Sequence, residues 1–567
     1  MAVRNSPLGH AIRFSRSPSR GHRRTASLPT TAEEPSVPAD SGKSVSRRSV
    51  LLGGASATAA AVALGAEFAG PRVARAAATR GAGGPGPKGP LFNLGVASGD
   101  PLPDSVVLWT RLAADPLAAD GLGGMPDRRI PVDWEIATDE RFTRIVRRGT
   151  VDAVRESAHS VHVEPAGLRP GTEYFYRFRA RGAVSGTGRT RTSPAPGTLG
   201  ELTMCFASCS HYGEGHFTAY RHLAADEPGL VLHLGDYQYE YAAKAGEVRT
   251  VFGPETTTLA GYRQRHAQYK TDLDLQAAHA VAPWLVVWDD HETENNWAGD
   301  VPEESSQTPG AKFPPRRAAA FQAYYENMPL RSTAKPSGPD MRLYRRIGWG
   351  GLVGFHMLDT RQYRDDQACG DGNQSGCAQR LDPERTITGA EQEKWLLDGL
   401  ARSTARWDVL GQQVFFARRD NTVGEGSSYS MDAWDGYVAS QDRIAAALGG
   451  PRVRNGVVLT GDVHRHWAAE IPRDYADLSA GNVATELVTT SITSGGDGDD
   501  DPNRAALDEN PHIKYHKNRR GYVRTKFTRN ELRADFRTVA RVSKPDAGVG
   551  TDTGFVVRDG DPVLRRA

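Results

Sequence analysis

Long apolar runs are missing from this 567-residue chain. No stretch beyond its first 76 residues approaches the ~20 apolar residues a membrane-spanning helix needs, so no transmembrane span is expected in the mature chain. A dominant charge is missing too. The formal net charge is +2, and the basic excess is concentrated in the first 76 residues, which leaves the remainder mildly acidic. That balance gives no electrostatic footprint for nucleic acid, and no nucleic-acid-binding domain is expected. Cysteine is scarce, with 4 in all, so each can be read in its own setting. What is present, 38% hydrophobic and 24% charged residues, is the composition of a globular protein with a polar surface, long enough for two or more domains.

Residues 1–76 read as an address rather than a fold. Arg, Ser and Pro crowd the opening stretch without periodicity, the composition of a disordered leader. Ser46-Arg47-Arg48-Ser49 then precedes a Gly/Ala-rich, mildly apolar segment to about Ala66, and Ala74-Arg75-Ala76 offers a small-x-small cleavage site. This resembles a bacterial Tat signal peptide, although a membrane anchor is the competing reading. The resemblance implies the Tat export machinery as a partner and a secreted, extracellular or wall-associated product. Because Tat carries folded proteins, it also implies cofactor loading before export.

A Gly/Pro-rich linker at 77–90 leads into a module at 91–195 that reads as all-β. Val106-Val107-Leu108-Trp109, Val132-Asp133-Trp134-Glu135-Ile136, Ser160-Val161-His162-Val163 and Tyr174-Phe175-Tyr176-Arg177-Phe178 are short, β-rich and bounded by turn residues. Leu168-Arg169-Pro170-Gly171-Thr172-Glu173-Tyr174 resembles the tyrosine corner of immunoglobulin-like and fibronectin type III sandwiches. Such a module could brace a catalytic domain or bind a wall polymer. Pro194-Ala195-Pro196-Gly197 forms a hinge to residues 200–567, where apolar strands alternate with helical stretches in the manner of a layered α/β domain.

Several of those strands end on polar clusters. Leu230 to Leu234 runs into Gly235-Asp236, with Tyr239 two residues beyond Tyr237. Taken alone, that Asp suits helix capping as well as metal binding. Met204 to Ala207 leads to Cys209, whereas Cys205 falls mid-strand as a small buried hydrophobe. Trp284 to Trp288 leads to Asp289-Asp290-His291-Glu292, Phe355 to Leu358 leads to Asp359-Thr360-Arg361, and Val457 to Thr460 leads to Gly461-Asp462-Val463-His464. Acidic groups gathered on one rim repel unless cations hold them, so a polymetal site is expected. Cys369 and Cys377 flank a polar loop and are spaced for a local disulfide in an exported protein.

With Asn93-Leu94-Gly95-Val96-Ala97-Ser98-Gly99-Asp100-Pro101, Ser430-Met431-Asp432-Ala433-Trp434-Asp435-Gly436-Tyr437 and the strand ends above, the chain resembles the PhoD family of secreted alkaline phosphatases and phosphodiesterases from Phe92 onward. These belong to the calcineurin-like metallophosphatases and are akin to purple acid phosphatases. The resemblance implies a metallophosphatase-type α/β fold, a β-sandwich flanked by helices and preceded by the small all-β domain. It implies Fe3+ held by Cys209, Tyr239, His464 and a bridging Asp236, and Ca2+ held by Asp236, Asp290 and Asp462. A metal-held hydroxide is then expected to attack the phosphate ester, with His291 protonating the leaving group and Arg361 clamping phosphate oxygens, although Arg361 could instead pair with Asp359 or Asp365.

The implied product is a monomeric phosphoric ester hydrolase acting on small phosphate esters, phospholipid or wall teichoic acid. A phospholipase D-like phosphodiesterase is the alternative, and a wall-binding module with an inert metal site is the reading outside enzymes. The acidic run Asp497-Gly498-Asp499-Asp500-Asp501 reads as a solvated loop.

Overall fold

The computed structural model describes residues 90–567 apart from 304 and 307. The Tat-like signal and leader at 1–76 and all but the last residue of the 77–90 linker lie outside the described residues.

Two sheets carry the site. One is ten-stranded, in the order Asp561–Arg566, Val549–Arg558, Glu531–Val539, Gly521–Phe527, Leu202–Ala207, Leu230–Leu234, Pro283–Val287, Val96–Gly99, Val107–Arg111 and Ser160–Val163. At its centre Leu202–Ala207, Leu230–Leu234 and Pro283–Val287 run parallel. The other is seven-stranded, with Val353–Met357, Trp407–Gly411, Gly456–Thr460 and Asn482–Val488 parallel in its middle. Every residue of Leu230–Leu234, Pro283–Val287, Trp407–Gly411 and Gly456–Thr460 is buried, as expected for parallel strands covered on both faces.

The sheets face each other. Met204, Leu232 and Leu285 of the first share one core cluster with Phe355, Val409, Val457 and Leu487 of the second. On the outer face of the second sheet, Leu410 and Val458 pack with Leu396 and Leu400 of helix Gly389–Leu400 and Ile444 of helix Val438–Leu448. Helices Thr218–Ala225, Leu259–Lys270, Leu273–Val281 and Phe313–Asn327 contribute Tyr220, Tyr262, Leu275 and Phe321 to the core around the first sheet. The expected helix-flanked β-sandwich is the fold.

The N-terminal module is also a sandwich, but it shares a layer with its neighbour. Strands Ile130–Ala137, Ile145–Ala153, Glu173–Ala180, Ala183–Val184 and Gly188–Arg191 form one layer. The opposing layer, Val96–Gly99, Val107–Arg111 and Ser160–Val163, is the end of the ten-stranded sheet, joined by parallel pairing of Ser98 with Pro283. Val132, Ile136, Tyr176 and Phe178 from one layer and Leu108 and Val161 from the other fill the space between them. The tyrosine corner is present: the Arg169 main-chain N–H donates to Tyr174 Oη at 2.8 Å. Cys369 and Cys377 are disulfide-bonded, and Cys205 is buried and free.

Candidate active site

The carboxyl ends of the parallel strands turn abruptly. Cys209, Asp236, Asp462 and His464 all have left-handed backbones, with φ of 61°, 54°, 62° and 54°. Such a conformation costs a non-glycine residue on the order of 1 kcal/mol or more and persists where the surroundings enforce it, which is characteristic of functional turns. Gly235 permits the tightest approach, since a Cβ there would stand 2.4 Å from Asp289 Cβ. The turns are tied to one another. Cys209 N–H donates to the Gly235 carbonyl at 3.1 Å and Ser210 N–H to that of Asp236 at 2.8 Å. The buried Glu292 carboxylate accepts from the main-chain N–H groups of Asp236 (3.1 Å), Tyr237 (2.6 Å) and Asp289 (2.9 Å).

Six of the eight expected site residues meet in two groups that share Asp236. Ligand atoms of Cys209, Asp236 and His464 lie within 4.8 Å of one another, and so do those of Asp236, Asp290 and His291. Tyr239 joins the first group: its Oη donates to Asp236 Oδ2 at 2.8 Å and lies 3.1 Å from His464 Nε2. Ser494 Oγ sits 2.7 Å from the same phenol oxygen. The second group differs from the expected one. His291 is inside it, and Asp462 is outside that close group, 3.9 Å from the Arg361 Nη2 that also lies 3.7 Å from Asp290 Oδ2.

Arg361 also differs from its expected role as a phosphate clamp. It is fully buried. Its fork donates to both carboxylate oxygens of Asp432, at 2.7 and 2.9 Å, and its Nε to Asp289 Oδ1 at 2.5 Å. Asp290 Oδ2 is 3.7 Å away. It meets Asp359 only through its main-chain N–H, which donates to Asp359 Oδ1 at 3.0 Å. This guanidinium lies beneath the carboxylates and holds them, with its planar fork already used.

Charge is unbalanced here. Burial, reinforced by the Asp236 carboxylate, pushes the Cys209 thiol and the Tyr239 phenol well above their ordinary values. Burial and the neighbouring Asp432 raise Asp462 to about 8, and burial with Asp236 raises Glu292 to about 8. Asp290 resists burial because Arg361 and His291 hold it below the usual carboxylate range. Burial opposes the charge on His291, but Glu240, Asp290 and Asp236 outweigh it and raise its pKa. Asp236 Oδ1 is buried without a hydrogen-bond partner. A thiol, a phenol and a carboxylate oxygen, all desolvated, fit a metal of high charge, which would stabilise each as its anion. The oxygen donors of Asp236 and Asp290 fit a harder cation.

Sequence reasoning missed Glu240, whose Oε2 lies 2.8 Å from His291 Nδ1, and Glu292 and Ser494 in the roles above. Glu240 directly follows Tyr239 and Glu292 directly follows His291, so adjacency was the available signal. Asp432, within the Ser430-to-Tyr437 motif, pairs with Arg361 and Arg364, neither of which is near it in sequence. The 497–501 acidic run is satisfied locally: Asp500 pairs with Lys517 and Asp497 accepts from Val542 and Ser543 N–H groups.

Residues 204–536 match the family described as PhoD-like phosphatase, and residues 76–194 match the PhoD-like phosphatase N-terminal domain. The chain is 50% identical over 485 residues to alkaline phosphatase D of Bacillus subtilis, covering 84% of this chain and 82% of that one. Among solved structures, it superposes on one titled "Structure of PhoD" with TM-score 0.82 and 48% identity, over 85% of this chain and 93% of the other. A purple acid phosphatase from yellow lupin seeds shares the fold at TM-score 0.51 and 14% identity, over 82% of this chain and 73% of the other.

Proposed function

The chain belongs to the PhoD-like phosphatase family, and from that premise we propose that it is a secreted, metal-dependent alkaline phosphatase and phosphodiesterase. One observation carries the reading: a single carboxylate, Asp236, is shared by two groups of ligand atoms, one with thiol and imidazole and one with carboxylate and imidazole. A carboxylate shared between two such groups supports a two-metal hydrolytic centre. Cys209, Tyr239, His464 and Asp236 would hold Fe3+, and Asp236 and Asp290 would hold Ca2+, with Asp462 close enough to Arg361 to act through the carboxylate network. When bound, such ions supply Lewis-acid charge to the phosphate oxygens and acidify water.

The protein's own groups do the rest. Glu240 accepts from His291 Nδ1 at 2.8 Å, which fixes the ring and leaves Nε2 to hold a proton for the departing alkoxide. The Tyr239 ring stacks on that imidazole at 4.1 Å between centroids, and Tyr241 meets its edge at 5.2 Å. Arg361 holds Asp432 below the usual carboxylate range against its burial and keeps Asp289 in place. The twin-arginine segment, and the start of the family's N-terminal domain at residue 76, support export with the leader removed. No helix among the described residues is long and apolar enough to cross a membrane.

Hydrolysis of p-nitrophenyl phosphate, its bis ester and phosphatidylcholine, compared on one preparation, tests this reading. Turnover of the first two is expected. Activity confined to the phospholipid would contradict it.

A further inference from the structure

Asn296 follows the Asp290-His291 pair by a short turn and has a left-handed backbone, φ 49°. Its main-chain N–H donates to Asp290 Oδ2 at 2.8 Å. Its carbonyl accepts from Gln367 Nε2 at 2.8 Å, and its own Nδ2 donates to Asp371 Oδ2 at 2.7 Å. Gln367 and Asp371 belong to one segment: the first precedes, and the second lies inside, the loop closed by the Cys369–Cys377 disulfide.

That loop is rich in left-handed backbone. Gly370, Gly372 and Gly376 all have left-handed φ, of 86°, 65° and 70°, and Asp371 has one of 66°. Glycine-rich backbone of this kind loses much entropy on ordering, and a cross-link lowers that cost. Outside the loop, the Met431 N–H donates to the Gly372 carbonyl at 2.9 Å, and Asn373 and Gln374 pair with Ser430 and Tyr429. Asp371 Oδ1 is buried without a hydrogen-bond partner, so among the described residues Asn296 is the side-chain donor that fixes this carboxylate.

We propose that Asp371 is a positioning residue: on its disulfide-closed loop it fixes the Asn296 amide, and through Asn296 it fixes Asp290 for the oxygen-rich metal site. The inference rests on the reading of Asp290 as a metal ligand. Groups that orient ligands from behind are worth about 10–100-fold in metal affinity, and a relay through one more residue belongs at the lower end.

The test is calcium affinity, measured by chelator competition on iron-loaded protein, for wild type, Asp371→Ala, Asp371→Asn, the Cys369→Ser/Cys377→Ser pair and the triple variant carrying Asp371→Ala. Asp371→Ala and the serine pair are each expected to weaken calcium about tenfold, with the visible iron band unchanged. The triple variant should be no weaker than the worse of the two, because both break one chain of contacts. Asp371→Asn, which keeps an acceptor, should retain most of the affinity. Wild-type affinity in Asp371→Ala, or additive losses in the triple variant, would overturn the inference while the two-metal reading stands. A wild-type protein that binds no calcium would overturn both. If the serine pair fails to fold, Asp371→Ala against Asp371→Asn carries the test.

Discussion

Glu240 Oε2 lies 2.8 Å from His291 Nδ1, both side chains buried, so the imidazole that borders the Asp236 and Asp290 carboxylates is oriented from behind by a third. A histidine held this way is suited to giving a proton from its other nitrogen. His291→Ala should then lose far more rate on esters with poor alkoxide leaving groups than on nitrophenyl esters, whose phenolate departs unassisted. The difference should approach about 10²–10⁴-fold, the usual worth of general acid catalysis. Glu240→Gln should move in the same direction by less. Steady-state rates on the two ester types, with metal content measured alongside, check this. Loss of metal in His291→Ala would make His291 a ligand instead.

Arg361 offers a prediction about stability. Its guanidinium is fully buried against Asp289 and Asp432, and breaking a buried pair leaves an uncompensated carboxylate, at about 3–5 kcal/mol. Arg361→Met should lower unfolding free energy by roughly that amount in denaturant titrations. A stable Arg361→Met protein whose only defect is a raised KM would restore the phosphate-clamp role expected from sequence.

How far the sequence reaches is visible in the strand ends and in Arg361. Leu230–Leu234 and Gly456–Thr460 are legible because a fully buried parallel strand is a continuous apolar run, and the polar residue that ends it must lie at the rim. Cys209, Asp236, Tyr239 and His464 follow from that logic, and they do converge. Arg361 is different: its main partner, Asp432, is 71 residues away. Nothing local distinguishes an arginine aimed at a cleft from one buried beneath it. The N-terminal sandwich shows the same limit. Its strands are legible as short, β-rich runs bounded by turn residues, but the pairing of Ser98 with Pro283 that joins one layer to the catalytic sheet is long-range and leaves no local trace.

Asp435 sets a pH dependence outside the ligand groups. It is buried, and burial raises its pKa to about 7, against the opposing main-chain N–H of Arg419. The folded state therefore holds its proton more tightly than the unfolded chain, whose aspartates titrate near 4. The stabilising contribution is present below that value and is lost as pH rises from about 4 to 7, by a few kcal/mol at most. Asp435→Asn should flatten this slope and gain on wild type at pH 8. Parallel unfolding curves for the two proteins from pH 4 to 8 would contradict the assignment.

Chelation tests the two proposed metal positions separately. The oxygen donors of Asp236 and Asp290 would exchange a hard cation more readily than the Cys209 thiolate site exchanges iron. A calcium chelator should abolish activity reversibly while the visible colour survives. Activity that persists through prolonged chelation would refute an exchangeable site.

The central claim is that Cys209, Asp236, Tyr239 and His464 hold ferric iron in an active phosphoesterase. Elemental analysis of protein purified through its native export route, read together with its visible spectrum, tests that claim directly. One iron per chain is expected, with a broad charge-transfer band that Tyr239→Phe weakens or shifts. A fully active, colourless, iron-free preparation would contradict it.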